Sequence, residues 1–301
     1  MAAEPAVPGA RFDRVAVIFN PDPSRMPFHL AEHLRDELIA RMPSVRVDLL
    51  PTGFAGHARE LARAAAQAGR PLIVSVSGDG GYNEVVNGVM DVPDNQAVCA
   101  VLAAGNANDH RRSTRTLPLI EAILHGSLRK MDLLHLQAAA PEAVTTRYAH
   151  SYIGFGLTPA MAIAIEKGGK GRLRELIAVS RAVSGLTPFE IARSDGAHAT
   201  FDSLVLANIP HIAKYGRLSQ FGDATDGKFE VVMLPHSGTW RMALMTLRAV
   251  TVGLGVQPSV HRYDFVTVGP LPLQIDGEVL HLPEGTAVQV RIAPGALTVI
   301  G

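Results

Sequence analysis

Asp79 stands among three glycines in Ser77-Gly78-Asp79-Gly80-Gly81-Tyr82-Asn83, a residue set that can hold a phosphate group through the main chain. Glycines let a backbone approach an anion closely, and the unpaired N–H groups of a helix start point at it. A carboxylate there would repel bare phosphate, so Asp79 suits a site in which a divalent cation or an ordered water intervenes. The same residues are also ordinary turn chemistry, and Asp79 is equally a turn acid capping a helix. The chain has no Gly-x-x-x-x-Gly-Lys-Ser/Thr, and no Gly-x-Gly-x-x-Gly follows a strand.

The flanking sequence says what positions this loop. Pro71 to Val76 is a short β-branched apolar run, and Tyr82, Val85, Val86 and Val89 have helical spacing. Strand 15–19, helix 27–41, strand 45–49 and helix 57–68 precede it. Strand 97–102, a loop and helix 117–124 follow. This repeated order predicts an α/β domain over 12–130, a parallel sheet covered by helices, with ligand loops at the carboxyl ends of its strands. From Met131 the pattern becomes a second, antiparallel β-rich domain over 131–292, with residues 293–301 returning to the first. Strands are expected at 145–153, 189–193, 200–207, 229–234, 265–268, 273–275 and 287–292, interrupted by helices 159–167, 171–184 and 239–253. Asp195-Gly196 and Asp276-Gly277 are hairpin signals, whereas Asp226-Gly227 precedes a strand. The active cleft is expected between the two domains.

Composition narrows the function classes. The 301 residues are 47% hydrophobic and 19% charged with formal net charge zero, which argues against nucleic acid as a partner. The single cysteine, Cys99, lies in an apolar strand and reads as a structural thiol. Residues 1–11 lack the apolar core of a secretory signal, and no apolar run reaches 18 residues, so the expected location is cytoplasmic. Oligomeric state is open, a homodimer included.

Four segments carry a resemblance in one order: Asn20-Pro21-Asp22-Pro23-Ser24, Ser77 to Asn83, Ala104-Gly105-Asn106-Ala107-Asn108-Asp109, and Gln274-Ile275-Asp276-Gly277-Glu278. In these the chain resembles the diacylglycerol kinase catalytic-domain family, bacterial soluble lipid kinases related to sphingosine kinases and remotely to NAD kinases. Their counterparts are the family's Asn-Pro-x-Ser-Gly, Gly-Gly-Asp-Gly-Thr-x-Asn, Gly-Thr-x-Asn-Asp and Asp-Gly-Glu motifs. Ser77 and Gly81 stand where that family has Gly and Thr, Asn106 where it has Thr, and Arg25 where Gly is usual. Each lost threonine removes a hydroxyl donor, although the Asn106 amide can still donate.

The resemblance implies a lipid kinase of phospholipid metabolism, dependent on ATP and Mg2+, that phosphorylates a lipid hydroxyl such as that of diacylglycerol. It implies Glu278 as the base, Asp276 as a residue that orients the site or holds a water on the metal, and Asp79 facing Mg2+-ATP. Nucleotide contacts fall to Asn20, Pro21, Ser24, Thr52, Ser77, Gly78, Gly80, Gly81, Asn83, Gly105 and Asn106. Asn108 and Asp109 belong to that set too, with a rival role as turn and N-cap residues. A second, structural Mg2+ is implied at Asp223, Asp226 and the Lys228 main chain; two carboxylates and a carbonyl suit a hydrated hard cation. Bland roles exist for each, above all an exposed Glu278 after a turn. His29-Leu30-Ala31-Glu32-His33 fits an inverted zinc-protease pattern but is short for a chain with 12 histidines. The basic run from Lys167 to Arg174 could touch the inner membrane face peripherally. A NAD-kinase-like or other small-alcohol kinase, and a family member that binds without turnover, are the alternatives.

Overall fold

The computed structural model describes residues 12–22, 24–105, 108–115, 117–125, 127–156, 188–212, 216–220, 222–236, 248 and 253–300. The chain divides into two compact units, Met1–Met131 with Gly295–Gly301, and Asp132–Pro294.

In the first unit β1 (Arg14–Phe19), α1 (Met26–Arg41), β2 (Arg46–Pro51), α2 (His57–Gln67), β3 (Pro71–Ser77), α3 (Asp79–Met90) and β4 (Val98–Ala103) alternate, followed by α4 (Asp109–Thr114) and α5 (Leu119–His125). The strands pair parallel in the order β4-β3-β1-β2. β1 and β3 are buried along nearly their whole length. Strands covered on both faces need continuous apolar residues, which is why Val15 to Phe19 and Leu72 to Val76 show so little polar alternation. Val15, Val17, Leu72 and Val74 pack with Leu34, Leu38 and Ile123 in one core, each such side chain stabilising by about 1.5–3 kcal/mol. Burial pushes the Cys99 thiol up to about 12, so it is a packing residue and not a nucleophile.

Beyond shifts of one or two residues at other element ends, two differences bear on the loops. α3 begins at Asp79, two residues early, because Gly80 and Gly81 accept helical geometry and an acid in the first turn suits the helix dipole. Residues 109–114, expected as loop, form α4, whose first turn is closed by a side chain from another element.

In the second unit the elements are β5 (Leu128–Ala139, which begins in the first unit), β6 (Val144–Ala149), β7 (Tyr152–Gly156), β8 (Phe189–Arg193), β9 (His198–Ala207), β10 (His211–Ile212), β11 (Gly216–Arg217), β12 (Phe229–Pro235), β13 (Ser259–Val260), β14 (Arg262–Thr267), β15 (Leu271–Ile275), β16 (Glu278–Leu282) and β17 (Ala287–Ile300). Pairing here is antiparallel. β9 pairs with β8, β7 and β12, β15 with β7 and β16, and β14 with β8 and β17. Leu134, Phe155, Leu204, Phe229, Phe265 and Ile275 lie in its core. The end of β17 belongs to the first unit, where Val299 pairs parallel with Cys99.

The chain is thus α/β, with a parallel sheet and a β-rich C-terminal part. β5, β16 and the two-residue strands β10, β11 and β13 were not foreseen, and 145–153 is two strands broken at His150 and Ser151. The helices expected over 159–167, 171–184 and 239–253 lie outside the described residues, apart from Arg248 and Gly253. So do the basic run Lys167 to Arg174, Pro23 and Asn106. Among the described residues no helix is long and apolar enough to cross a membrane.

Candidate functional site

A pocket of about 720 Å3 opens in the first unit at the carboxyl ends of β1, β2 and β3, within the ~300–1,000 Å3 usual for small-molecule sites. Asn20, Pro21, Thr52, Ser77, Gly78 and Gly81 line it, six of the expected nucleotide contacts. Asp22, Phe54, Ser75 and Glu84 line it as well and were not foreseen. Ser75 had a readable signal, since period two in a strand puts it on the same face as Ser77.

The rim near β1 is a chain of local hydrogen bonds. Asn20 Oδ1 accepts the Asp22 N–H at 3.0 Å, and Asp22 Oδ1 accepts both the N–H and the hydroxyl of Ser24, at 3.0 and 2.6 Å. Ser24 therefore shapes this turn and does not line the pocket. The two bonds from Ser24, with Arg25 at 2.9 Å, hold the Asp22 carboxyl below its ordinary range. Thr52 ties β2 to β1 through its N–H on the Phe19 carbonyl at 2.9 Å. Phe54, 61% exposed, stacks on His57 with ring centroids 4.6 Å apart.

Asp79 is partly buried and joins the two glycine loops. Its carboxylate accepts the N–H of Asp109 at 3.2 Å and of His110 at 3.3 Å. It therefore caps α4, two of whose first N–H groups would otherwise lack an intrahelical acceptor. Asn108 occupies the N-cap position in left-handed geometry, φ 53°, without capping. Its side chain bridges Gly105 instead, accepting from the Gly105 N–H at 3.1 Å and donating to the Gly105 carbonyl at 2.7 Å. Gly105 lies against Gly78 so closely that a Cβ on Gly105 would fall 2.4 Å from the Gly78 Cα. Asn83 is buried, with its Oδ1 accepting from Asn87 at 3.0 Å, and Asp109 is buried too. Asp79, Gly105, Asn108 and Asp109 thus build the two glycine loops, while Ser77, Gly78 and Gly81 present them to the pocket.

In the second unit Asp276 and Gly277 form the two-residue turn between β15 and β16, both with positive φ (47° and 102°), as a type I′ turn demands. The Asp276 carboxylate is fully buried and receives three main-chain N–H groups: His150 at 2.7 Å, Ser151 at 3.0 Å and Tyr152 at 2.9 Å. That nest is the physical reason the expected single strand 145–153 breaks where it does. His150 Nε2 lies 3.4 Å from Asp276 and its Nδ1 2.7 Å from Ser151 Oγ. All three are buried, so this serine, histidine and aspartate form a clamp that no substrate reaches. Glu278, partly buried, opens β16 directly after the turn.

The acidic loop of the same unit holds Asp223 and Asp226 exposed, with Asp223 accepting from Thr225 and Asp226 from the Lys228 N–H. Asp132 receives the Gly227 N–H at 2.7 Å. Burial pushes the Glu230 carboxyl up to about 7, and the negative charges of Asp226 and Asp223 add to that. Among the described residues no group of three or more His, Cys, Asp and Glu could hold a metal ion; His29 and His33 are exposed on α1. Asp223 and Asp226 fit a divalent ion only if main-chain oxygens and water complete its shell.

Residues 14–136 match the diacylglycerol kinase catalytic domain. The resemblance carried by the motifs is thereby shown for the segment that holds the first three. A diacylglycerol kinase of Bacillus subtilis (strain 168) is 31% identical over 127 residues, which covers 40% of this chain and 41% of that relative. The match thus spans less than half of either protein. A diacylglycerol kinase of Bacillus anthracis str. Sterne has a similar solved fold, TM-score 0.70 at 18% identity, covering 96% of this chain and 97% of the other. Yeast NADH kinase, solved with NADH, shares it more distantly, TM-score 0.51 at 14% identity over 99% and 87%.

Proposed function

We propose that the protein is a Mg2+- and ATP-dependent kinase that transfers the γ-phosphate to a lipid hydroxyl, with diacylglycerol as the first candidate. One observation carries the reading: every residue lining the pocket, from Ile18 to Ala104, falls inside the segment that matches the kinase domain. The first-turn N–H groups of α3 offer donors to the phosphates. Asn20, Pro21, Thr52, Ser77, Gly78 and Gly81 hold the nucleotide, and Asn106 adds a contact from the second loop. Asp22 and Glu84 on the pocket wall favour a nucleotide that arrives with its charge partly neutralised. Mg2+, when bound to the triphosphate, neutralises charge that develops during transfer. Asp79 keeps the two loops in register.

Glu278 takes the proton of the attacking hydroxyl as the general base, and Asp276 fixes the turn that carries it. Asp223, Asp226 and the Lys228 carbonyl hold a hydrated structural Mg2+, whose positive charge offsets the local carboxylates. The basic run Lys167 to Arg174 brings the enzyme to an anionic membrane surface on the cytoplasmic side. NADH kinase has the same general fold, so a dinucleotide or other small alcohol is the competing acceptor.

The test supplies labelled ATP and Mg2+ to the whole chain with mixed-lipid micelles or with NAD and glycerol. Label in the extracted lipid is expected. Label confined to NAD or glycerol overturns the lipid assignment, and no label in any arm overturns the kinase.

A further inference from the structure

We propose that the Ser77 hydroxyl is the side-chain donor to the nucleotide phosphates in the glycine loop, and that it has this place because residue 81 carries no side chain. The inference rests on the nucleotide reading of the pocket.

Two departures from the kinase motif sit four residues apart, serine for glycine at 77 and glycine for threonine at 81. The structure couples them. A Cβ on Gly81 would fall 2.7 Å from the Ser77 Cβ and 2.9 Å from its Oγ, closer than side-chain atoms pack. Gly81 lies in the first turn of α3 and is not among the positive-φ glycines. Its backbone therefore accepts any residue, and only the Ser77 side chain excludes one. Threonine at 81 and serine at 77 compete for one space beside the pocket that both positions line. Moving the hydroxyl from 81 to 77 across that gap keeps one hydroxyl there. Losing the threonine is thus not a loss of the donor.

The surroundings of Ser77 suit the task. Its Oγ lies 2.7 Å from the Oγ of Ser75, a buried residue that also lines the pocket, and 2.9 Å from the Gly78 carbonyl. With Ser75 donating to Ser77, the Ser77 hydrogen rests on Gly78. It turns to a phosphate oxygen when one enters, since a hydroxyl rotor can donate in one direction while accepting in another.

Calorimetric titration of ATP with excess Mg2+ into wild type, S77A, S77G, G81T and the swap S77G/G81T tests this, with a melting curve for each. S77A should weaken ATP about ten- to a hundredfold, the loss expected for a hydrogen bond to a charged group, with its melting temperature close to wild type. G81T should weaken ATP at least as much and lower the melting temperature as well. The swap should return affinity to within about twofold of wild type, the scatter of independent effects. S77A binding like wild type, or S77G and G81T penalties that simply multiply in the swap, overturns the role of Ser77 alone. Wild type that binds no ATP overturns the nucleotide reading and this inference together.

Discussion

The Asp79 carboxylate receives the main-chain N–H groups of Asp109 and His110, at 3.2 and 3.3 Å, so an acid in the first turn of α3 closes the first turn of α4. The glycine loops after β3 and β4 are thereby fastened to each other by a charged group at the edge of the pocket. The residue that the motif resemblance turns towards metal and nucleotide thus has a structural task, seen in these two hydrogen bonds.

Asp79→Ala should therefore cost stability as well as activity. Loss of a helix cap is worth about 0.5–2 kcal/mol, readable in urea unfolding, and phosphoryl transfer should fall by a much larger factor. Unfolding indistinguishable from wild type would show that the cap contributes nothing.

Gly105→Ala should disable the pocket from the opposite loop. Its Cβ would meet main chain at Gly78, which has no flexible end to swing away, so the loops must part at a cost of about 1–3 kcal/mol. ATP binding should weaken in parallel with the fall in melting temperature. An alanine variant that binds ATP like wild type would mean that the loops are free to separate.

Asp276→Ala should leave three buried N–H groups without their acceptor. Each unsatisfied donor costs about 1–3 kcal/mol, so the second unit should lose most of its stability or fail to fold. Proteolysis followed by mass mapping reads this directly, and wild-type resistance across β6, β7 and β15 would contradict it.

Glu230 gives the stability a pH dependence. Its carboxyl is raised from the ordinary 4.5 to about 7, first by burial and then by Asp226 and Asp223. Between those values the folded chain holds the proton more tightly than the unfolded chain, so stability falls as pH rises from about 4.5 through about 7, by on the order of 3 kcal/mol. In chelator, urea midpoints at pH 5, 6, 7 and 8 should decline for wild type and flatten for Glu230→Gln. Millimolar Mg2+ should stabilise wild type at pH 8, and Asp226→Ala should abolish that gain. A variant slope equal to wild type, or no effect of Mg2+, would count against this reading.

The βα alternation of the first unit was legible because buried parallel strands need apolar runs such as Val15 to Phe19, and Tyr82, Val85, Val86 and Val89 mark a helix face whatever surrounds them. Asn20, Ser77, Gly78 and Gly81, which line the pocket, were legible because their motifs follow strands, whereas Thr52 came only with the family resemblance. What was not legible depends on partners distant in sequence. α4 exists where Asp79, 30 residues earlier, supplies its cap. β6 and β7 separate where Asp276, more than 120 residues later, collects their N–H groups. Phe54 and Glu84 belong to the pocket through the packing of α2 and α3 against the sheet, which no local pattern encodes.

The most direct measurement compares wild type with Glu278→Gln in ATP titration and in a single turnover with labelled ATP, Mg2+ and diacylglycerol micelles. Both proteins should bind ATP with similar affinity, and only wild type should label the lipid, with transfer by the variant reduced at least a hundredfold, the lower end for a general base. Equal labelling by both would contradict the account at its centre.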